Sequence, residues 1–131
     1  MWKYFIKNGP SPLKSGYEFK MTHTFEKRKA ESLKLREKYP SQYPIIVEKS
    51  DTTLLPSIEK KKYLLIGDLT IGQFMLIIRK QLKIDSSHAI FILVDNAVIP
   101  TSGDTIEDIY SKHADKDGYL YMTYSAEQTF G

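Results

Sequence analysis

The sequence predicts an α+β fold, in which one main helix crosses a mixed β-sheet and a further helical segment precedes it. Two observations support this class. Short apolar segments of strand length occur in pairs, and helical segments separate the pairs. Each predicted helix also begins at a threonine that can cap it, at Thr24, Thr70 and Thr105. The chain of 131 residues is 41% hydrophobic, which suits one domain with a buried core.

The first half of the chain predicts one helix and two strands. The helix begins at Phe25 and ends at Tyr39-Pro40, because the residue before a proline avoids the α region. Its few apolar residues form a thin stripe, so we expect this helix to lie on the surface. Strands are predicted at 44–49 and 62–66, and Gly67-Asp68 ends the second one.

The second half predicts a main helix, two further strands, a short helix and a last strand. Thr70 and Gln73 have capping-box spacing and begin a helix that runs to about Leu82. The apolar run 89–94 predicts a central strand buried on both faces. The remaining predicted elements are a short strand at 98–99, a short helix from Thr105 to about His113, a turn at 115–118 and a strand at 119–124.

Several classes of chemistry are excluded or disfavoured. Because the chain has no cysteine, disulfides, thiol catalysis and thiolate metal sites are excluded. No apolar run approaches the roughly 20 residues of a membrane span. His23, His88 and His113 are isolated, and no metal-ligand spacing or phosphate-binding glycine loop occurs. We therefore expect no enzymatic activity, no metal and no cofactor.

Charge is distributed unevenly along the chain. Residues 1–62 carry twice as many basic as acidic side chains, and the remainder is acidic. This asymmetry either favours acidic partners at one face or reflects chance clustering on a solvated surface. The basic runs 27–29 and 60–62, with nine tyrosines, could suit nucleic acid. Most of the tyrosines lie in predicted strands, however, and are better interpreted as core or groove residues, so we expect no nucleic-acid partner.

Residues 1–16 differ in composition from the rest of the chain. Gly9-Pro10 and Ser15-Gly16 are typical of a loop, whereas the tip carries Trp2, Tyr4 and Phe5. We interpret this segment as an extension, either natural or added for expression. Its aromatic tip predicts docking on another surface, such as a second copy of this protein.

The ordered blocks of the sequence resemble a known family. Without its leading helix, the predicted order is ββαββαβ, as in ubiquitin. The blocks that carry the resemblance are 25–32, 39–40, 44–49, 61–64, 68–74, 78–80, 89–92, 117–121 and 129–131. Over about residues 17–131 they are similar to the autophagy ubiquitin-like modifiers, which include the yeast autophagy modifier, the GABA-receptor-associated protein and the microtubule-associated light chains. The resemblance implies a ubiquitin-like β-grasp domain at 17–131, with two additional N-terminal helices at about 17–39.

The resemblance also implies that Gly131 is a conjugation site. Ubiquitin-type activating and conjugating enzymes would join it to phosphatidylethanolamine, after a cysteine protease removes any residues beyond it. A terminal glycine suits this role because it has no Cβ to clash in a narrow enzyme site. The protein would be cytoplasmic, and it would associate with autophagosomes or other organelle membranes when lipidated. The alternative is a ubiquitin-fold peptide-binding adaptor that is never conjugated.

A second implied function is the capture of acid-flanked aromatic-x-x-aliphatic peptides from cargo receptors, as a strand added beside 62–65. The implied aromatic pocket comprises Glu31, Leu35, Pro44, Ile46, Lys62, Leu64 and Tyr119. The implied aliphatic pocket comprises Tyr63, Leu65, Ile66, Leu69, Phe74 and Ile77, of which Phe74, like Ile46 and Leu64, could equally serve the core. Arg79, Lys60 and Lys61 would contact the acids.

The chain departs from the family pattern at three positions in and beside these pockets. Gln42, Ile66 and Tyr119 replace an arginine, a proline and a phenylalanine that are frequent in the family, so peptide preference is expected to shift. We also hypothesise that Trp2 and Phe5 occupy the aromatic pocket of a neighbouring molecule.

Overall fold

The computed structural model describes residues 17–85 and 87–126. Within this part of the chain four helices and four strands form an α+β fold, as predicted, with two helices before the first strand. The elements are α1 (Glu18–Thr22), α2 (Phe25–Lys38), β1 (Gln42–Lys49), β2 (Lys62–Ile66), α3 (Ile71–Leu82), β3 (Phe91–Val94), α4 (Ile106–His113) and β4 (Leu120–Ser125). Gly131, Trp2 and Phe5 lie outside the described residues.

The three predicted helix caps are confirmed. The hydroxyls of Thr24, Thr70 and Thr105 each accept a hydrogen bond of 3.2 Å from the backbone N–H three residues further on. At Thr70 the capping box is complete, since the Gln73 side chain accepts from the Thr70 N–H at 2.9 Å. These local bonds satisfy N–H groups that the first helical turn leaves without partners.

The sheet is mixed and has the strand order β2-β1-β4-β3. β1 is parallel to β4, whereas the β1–β2 and β3–β4 pairs are antiparallel. The central strands are therefore β1 and β4, and the prediction that 89–94 is central was wrong. In this run only Phe91–Val94 forms a strand, at the sheet edge, and its burial alternates between Ile92 and Val94 on one face and half-buried Phe91 and Leu93 on the other. An apolar run by itself does not show which of its faces is covered.

The predicted strand at 98–99 is reduced to a single bridge between Val94 and Val98. The Val94 N–H donates to the Val98 carbonyl at 2.7 Å, and the chain turns at Asp95 and Asn96, whose φ angles are +53° and +56°. The next hydrogen-bonded pair of a longer ladder would be Ile92 with Pro100, and a proline has no N–H to donate.

The two faces of the sheet bury different clusters. On one face, Ile45 and Val47 of β1 contribute with Phe74 and Ile78 of α3 to the main core. On the opposite face, Ile46 belongs to a smaller cluster with four aromatic residues, two of them from or beside α1. Its other members are Tyr17, Phe19, Tyr119 and Tyr121. α2 is largely solvated, as predicted, and Ser32 is its buried residue.

Two buried carboxylates attach the N-terminal helices to the sheet. Glu48 of β1 is 8% exposed, and its two oxygens accept from the N–H groups of Glu18 and Phe19 at 2.8 and 2.9 Å. It thereby caps α1 from 30 residues away. Asp117 is fully buried and accepts from the Arg28 guanidinium of α2 and from the Tyr121 hydroxyl at 2.5 Å.

The predicted turn at 115–118 is confirmed, with the Gly118 N–H donating to the Asp115 carbonyl at 2.9 Å. Gly118 has φ +91°, which side chains rarely adopt, and a Cβ there would lie 2.9 Å from the Ser32 Cβ. The glycine therefore allows the turn to lie directly against α2.

Candidate functional site

Among the described strands, β2 is the last on its side of the sheet, and its outer edge pairs with none of them. The Val47 N–H donates to the Lys61 carbonyl at 2.9 Å, and the Gly67 N–H donates to the Ser41 carbonyl at 3.2 Å. Hydrogen-bonded pairs alternate along an antiparallel ladder, so the even-numbered residues of β2 direct their N–H and C=O groups away from β1. Lys62 and Leu64 therefore present backbone groups at the edge that pair with no strand in the described part of the chain.

Pro44 fits this alternation. It lies opposite Leu64 in the β1–β2 register, at a position that donates no hydrogen bond to β2. A proline has no N–H, and the ladder loses nothing by its presence. Pro44 can therefore lie in β1 without disturbing the hydrogen bonds between β1 and β2.

The residues predicted to form the aromatic pocket lie on the face of the sheet that α2 covers. The Lys62 ammonium contacts both oxygens of Glu31, at 3.0 and 3.1 Å, and the Tyr119 hydroxyl donates to Glu31. The strand register pairs Ile46 with Lys62 and Pro44 with Leu64, and cross-strand partners share a face. Leu35 follows Glu31 by one helical turn, so both belong to one side of α2.

Phe19 is a member of this region that sequence reasoning missed. Its buried ring lies edge-on to the Tyr119 ring, with centroids 5.1 Å apart, and the Lys62 ammonium lies 5.2 Å from its centroid. Phe19 is placed there by the bond from its N–H to Glu48. No local pattern in the sequence indicates a contact between residues so far apart in the chain.

The charges at this site are coupled. Burial alone would raise the pKa of Glu31, but hydrogen bonds from Tyr119 and Lys62 outweigh it, so the pKa of this carboxyl lies below its usual value. The pKa of Tyr119 is raised by burial and by the adjacent Glu31 carboxylate. Around neutral pH Glu31 is therefore ionised and Tyr119 is neutral, and the Lys62 side chain lies against Glu31.

The residues predicted to form the aliphatic pocket lie mainly on the opposite face. Tyr63 and Phe74 are core residues, with exposed fractions of 6% and 0% and ring centroids 5.2 Å apart. Burial raises the pKa of Tyr63 to about 12. Ile66, at the end of the strand, alternates onto the side of Leu64 and is 51% exposed. The half-buried members that pack against the main core are Leu65, Leu69 and Ile77.

The basic residues predicted to contact acids do not form a single cluster. Lys61 pairs with Glu18 of α1, and the Lys60 ammonium lies 5.1 Å from the Tyr63 ring centroid. With Lys62 they form a basic rim where β2 begins. Arg79 belongs to the last turn of α3, and its guanidinium donates to the Asp85 carbonyl at 3.0 Å.

The C-terminal tail leaves the sheet from the central strand β4. Ser125 ends this strand, and the Ala126 N–H donates to the Thr53 hydroxyl at 3.0 Å. Gly131 is five residues further on and lies outside the described residues. The last described contact of the chain is therefore with the loop between β1 and β2.

Residues 17–85 and 87–126 contain neither a candidate metal cluster nor a candidate membrane-spanning helix. There, no three His, Asp or Glu side chains are grouped so that they could hold a metal ion. In the same part of the chain no helix has both the length and the apolar character needed to cross a bilayer.

The chain is similar to autophagy proteins along most of its length. The family profile described as "Autophagy protein Atg8 ubiquitin like" matches residues 27–131. Autophagy-related protein 8e of Arabidopsis thaliana is 51% identical over 119 residues, which cover 91% of this chain and 97% of the relative. Autophagy-related protein 8 of Mycosarcoma maydis is 52% identical over 113 residues, covering 86% and 95%.

A solved structure agrees with the sequence comparisons. The crystal structure of Trypanosoma brucei ATG8 matches with a TM-score of 0.82 and 40% identity, covering 89% of this chain and all of that one. The sequence comparisons and the structural comparison thus agree on the family. The chain belongs to the Atg8 family of ubiquitin-like autophagy proteins.

Proposed function

We propose that this Atg8-family protein is a modifier joined through Gly131 to phosphatidylethanolamine on autophagic membranes, where its β2 edge captures peptide motifs of cargo receptors and autophagy machinery. The observation that carries the peptide-binding part is the open edge of β2, with backbone groups of Lys62 and Leu64 directed outward. Unpaired edge groups are the usual requirement for adding a peptide strand.

The side chains around the edge support an aromatic-x-x-aliphatic motif. An aromatic residue of the peptide would enter beside Phe19 and Tyr119, whose rings already pack edge to face against each other. If that residue is a tryptophan, its N–H could donate to the ionised Glu31. Three residues later in an extended peptide the side chain faces the other side of the sheet, where an aliphatic residue would contact the half-buried Leu65 near the end of β2.

The acids that flank such a motif would meet the basic rim of Lys60, Lys61 and Lys62. Two of these lysines already have carboxylate partners on the surface, Glu18 and Glu31. A peptide acid would compete for them at little cost, because exposed ion pairs contribute only about 0–1 kcal/mol. Charge at this rim is expected to steer the peptide and increase its rate of association. Arg79 would contribute as a more distant charge.

For conjugation, the chain acts as the substrate. The Gly131 carboxylate would form an amide with the lipid amine, after activation by ubiquitin-type enzymes, and a cysteine protease would trim or release it. The central position of β4 supports this role, because only a short tail separates Gly131 from a strand that is paired on both sides. Until that bond forms, the protein would be cytoplasmic. We further propose that residues 17–131 form the modifier domain and that 1–16 are a separable extension.

The peptide-binding proposal is tested by placing N-methyl groups along a bound peptide. An acid-flanked aromatic-x-x-aliphatic peptide is synthesised with a single N-methyl group at each position in turn, and affinity is measured by calorimetry. Every second methyl group should weaken binding about fivefold, since each blocks one edge hydrogen bond of about 1 kcal/mol. The intervening positions serve as matched controls. Uniform effects at all positions would contradict strand addition.

A further inference from the structure

We propose that the loop of residues 50–58 touches the lipid bilayer through Leu54 when Gly131 carries a lipid. This inference rests on the proposed conjugation. Leu54 is 100% exposed, although the next residue, Leu55, is 7% exposed. Leu55 and Ile58 anchor the loop in the main core, so Leu54 is displayed at the surface by a loop that is itself packed.

This loop is fixed to the strand from which the tail leaves. The Ser50 N–H donates to the Tyr124 carbonyl at 2.9 Å, and the Tyr124 hydroxyl donates to the Pro56 carbonyl at 2.7 Å. The Thr53 hydroxyl accepts from the Ala126 N–H at 3.0 Å. Leu54 is therefore adjacent in sequence to the residue that holds the beginning of the tail.

The length of the tail limits how far this end of the sheet can lie from a conjugated lipid. Five residues, 127–131, extend at most about 18 Å when fully stretched. A lipid on Gly131 thus keeps the Thr53–Ala126 contact close to the headgroups. Ile99, another exposed aliphatic residue, follows Val98, which bridges to Val94 at the β3 edge of the sheet, whereas the loop 50–58 joins β1 and β2 on the other side.

The contact is expected to be apolar. The exposed charges in and beside the loop cancel, with Lys49 and Lys60 against Asp51 and Glu59. Neutral lipids should therefore suffice. One leucine provides too little apolar area to hold a free protein on a membrane, so the contact depends on the high effective concentration that the tether provides.

The test replaces Leu54 with a fluorescent reporter in the full chain. Leu54→Trp is made in a Trp2→Phe background, since Trp2 is the one native tryptophan. Because the chain lacks cysteine, Gly131→Cys can be coupled selectively to a maleimide lipid in phosphatidylcholine vesicles that contain brominated acyl chains. The matched control is Ile99→Trp, and unmodified protein with the same vesicles gives the baseline.

In the tethered protein, fluorescence of the Leu54→Trp variant should fall at least about twofold more than that of the Ile99→Trp variant, with a blue shift. Equal quenching in both variants, or no quenching in Leu54→Trp, would overturn the proposal. A third outcome is a blue shift that increases with protein concentration while no quenching occurs. It would assign Leu54 to a contact between copies and would also overturn the proposal. Chemical coupling bypasses the enzymes, so failure of enzymatic conjugation would refute the proposed function and leave this result interpretable.

Discussion

Arg28 of α2 and Asp117, two residues before Tyr119, form an ion pair that is nearly sealed from water, with side-chain exposures of 10% and 0%. Asp117 also accepts from the Tyr121 hydroxyl and from the Tyr119 N–H at 2.8 Å. The carboxylate therefore has several donors around it, which is the condition under which a buried charge is tolerated. Through this pair α2, which carries Glu31, is held against the sheet.

Replacing Arg28 with methionine should destabilise the protein by about 3 kcal/mol, because it leaves Asp117 buried with fewer donors. Lys20→Met is the matched control. It removes an ion pair with Asp115 whose side chains are 31% and 22% exposed, and should cost at most about 1 kcal/mol. Urea unfolding followed by circular dichroism measures both. Equal losses in the free energy of unfolding would show that the buried Arg28–Asp117 pair contributes no more to stability than the more exposed pair.

Lys62→Glu should weaken binding of an acid-flanked peptide about tenfold, since it removes one attractive charge and adds a repulsive one beside Glu31. Lys112→Glu, on α4 and away from the β2 edge, is the control and should change affinity less than about twofold. Fluorescence anisotropy at two salt concentrations is suitable, because the difference should shrink as salt rises. If both variants bind equally well, the basic rim does not contact the acids.

Tyr119→Phe should raise the pKa of Glu31, because one of the two side-chain donors to its carboxylate is lost while its burial remains. In the native protein this pKa lies below its ordinary value of 4.5, so ionised Glu31 stabilises the fold above that value. The contribution is lost as pH falls through the lower, folded-state pKa. Carboxyl shifts in an NMR titration measure the pKa directly, and an unchanged value would mean that the hydroxyl does not act on Glu31.

The proposed docking of Trp2 and Phe5 in a neighbouring aromatic pocket should be weak at low salt and stronger at high salt. Residues 1–16 contain three lysines and no acid, and they would approach the rim of Lys60, Lys61 and Lys62. Salt screens this repulsion while the aromatic contact remains. Analytical ultracentrifugation of the full chain and of a Trp2→Ala/Phe5→Ala variant tests this, with Tyr4→Ala as control. Identical behaviour of all three proteins would exclude the docking.

Local chemistry made the helices predictable. The caps at Thr24, Thr70 and Thr105 depend on residues three positions apart, and the end of α2 depends on the adjacent Tyr39-Pro40. α1 was indicated by the family resemblance and by no local pattern.

Long-range contacts could not be predicted from neighbouring residues. Glu48 and Asp117 act on helices 30 and 89 residues away, and nothing near either residue indicates its partner.

The strands show a similar division. β2 was predicted correctly, whereas the run 89–94 was placed in the centre of the sheet because all of its residues are apolar. The central positions belong to β1 and β4, and β4 is less uniformly apolar because it contains two tyrosines, a threonine and a serine. Strand order depends on pairing partners, which composition does not reveal. The residues of the candidate pockets came from the family resemblance, and Phe19 was missed because its position depends on Glu48.

Conjugation through Gly131 is tested by intact-mass measurement of the protein after reconstitution with ubiquitin-type activating and conjugating enzymes and phosphatidylethanolamine vesicles. We expect one lipid adduct per chain, located on Gly131 by fragmentation and absent from Gly131→Ala, while both proteins bind the peptide equally. Peptide binding without any adduct would support the non-conjugated adaptor instead. No adduct, or an adduct that persists in Gly131→Ala, would contradict conjugation through Gly131.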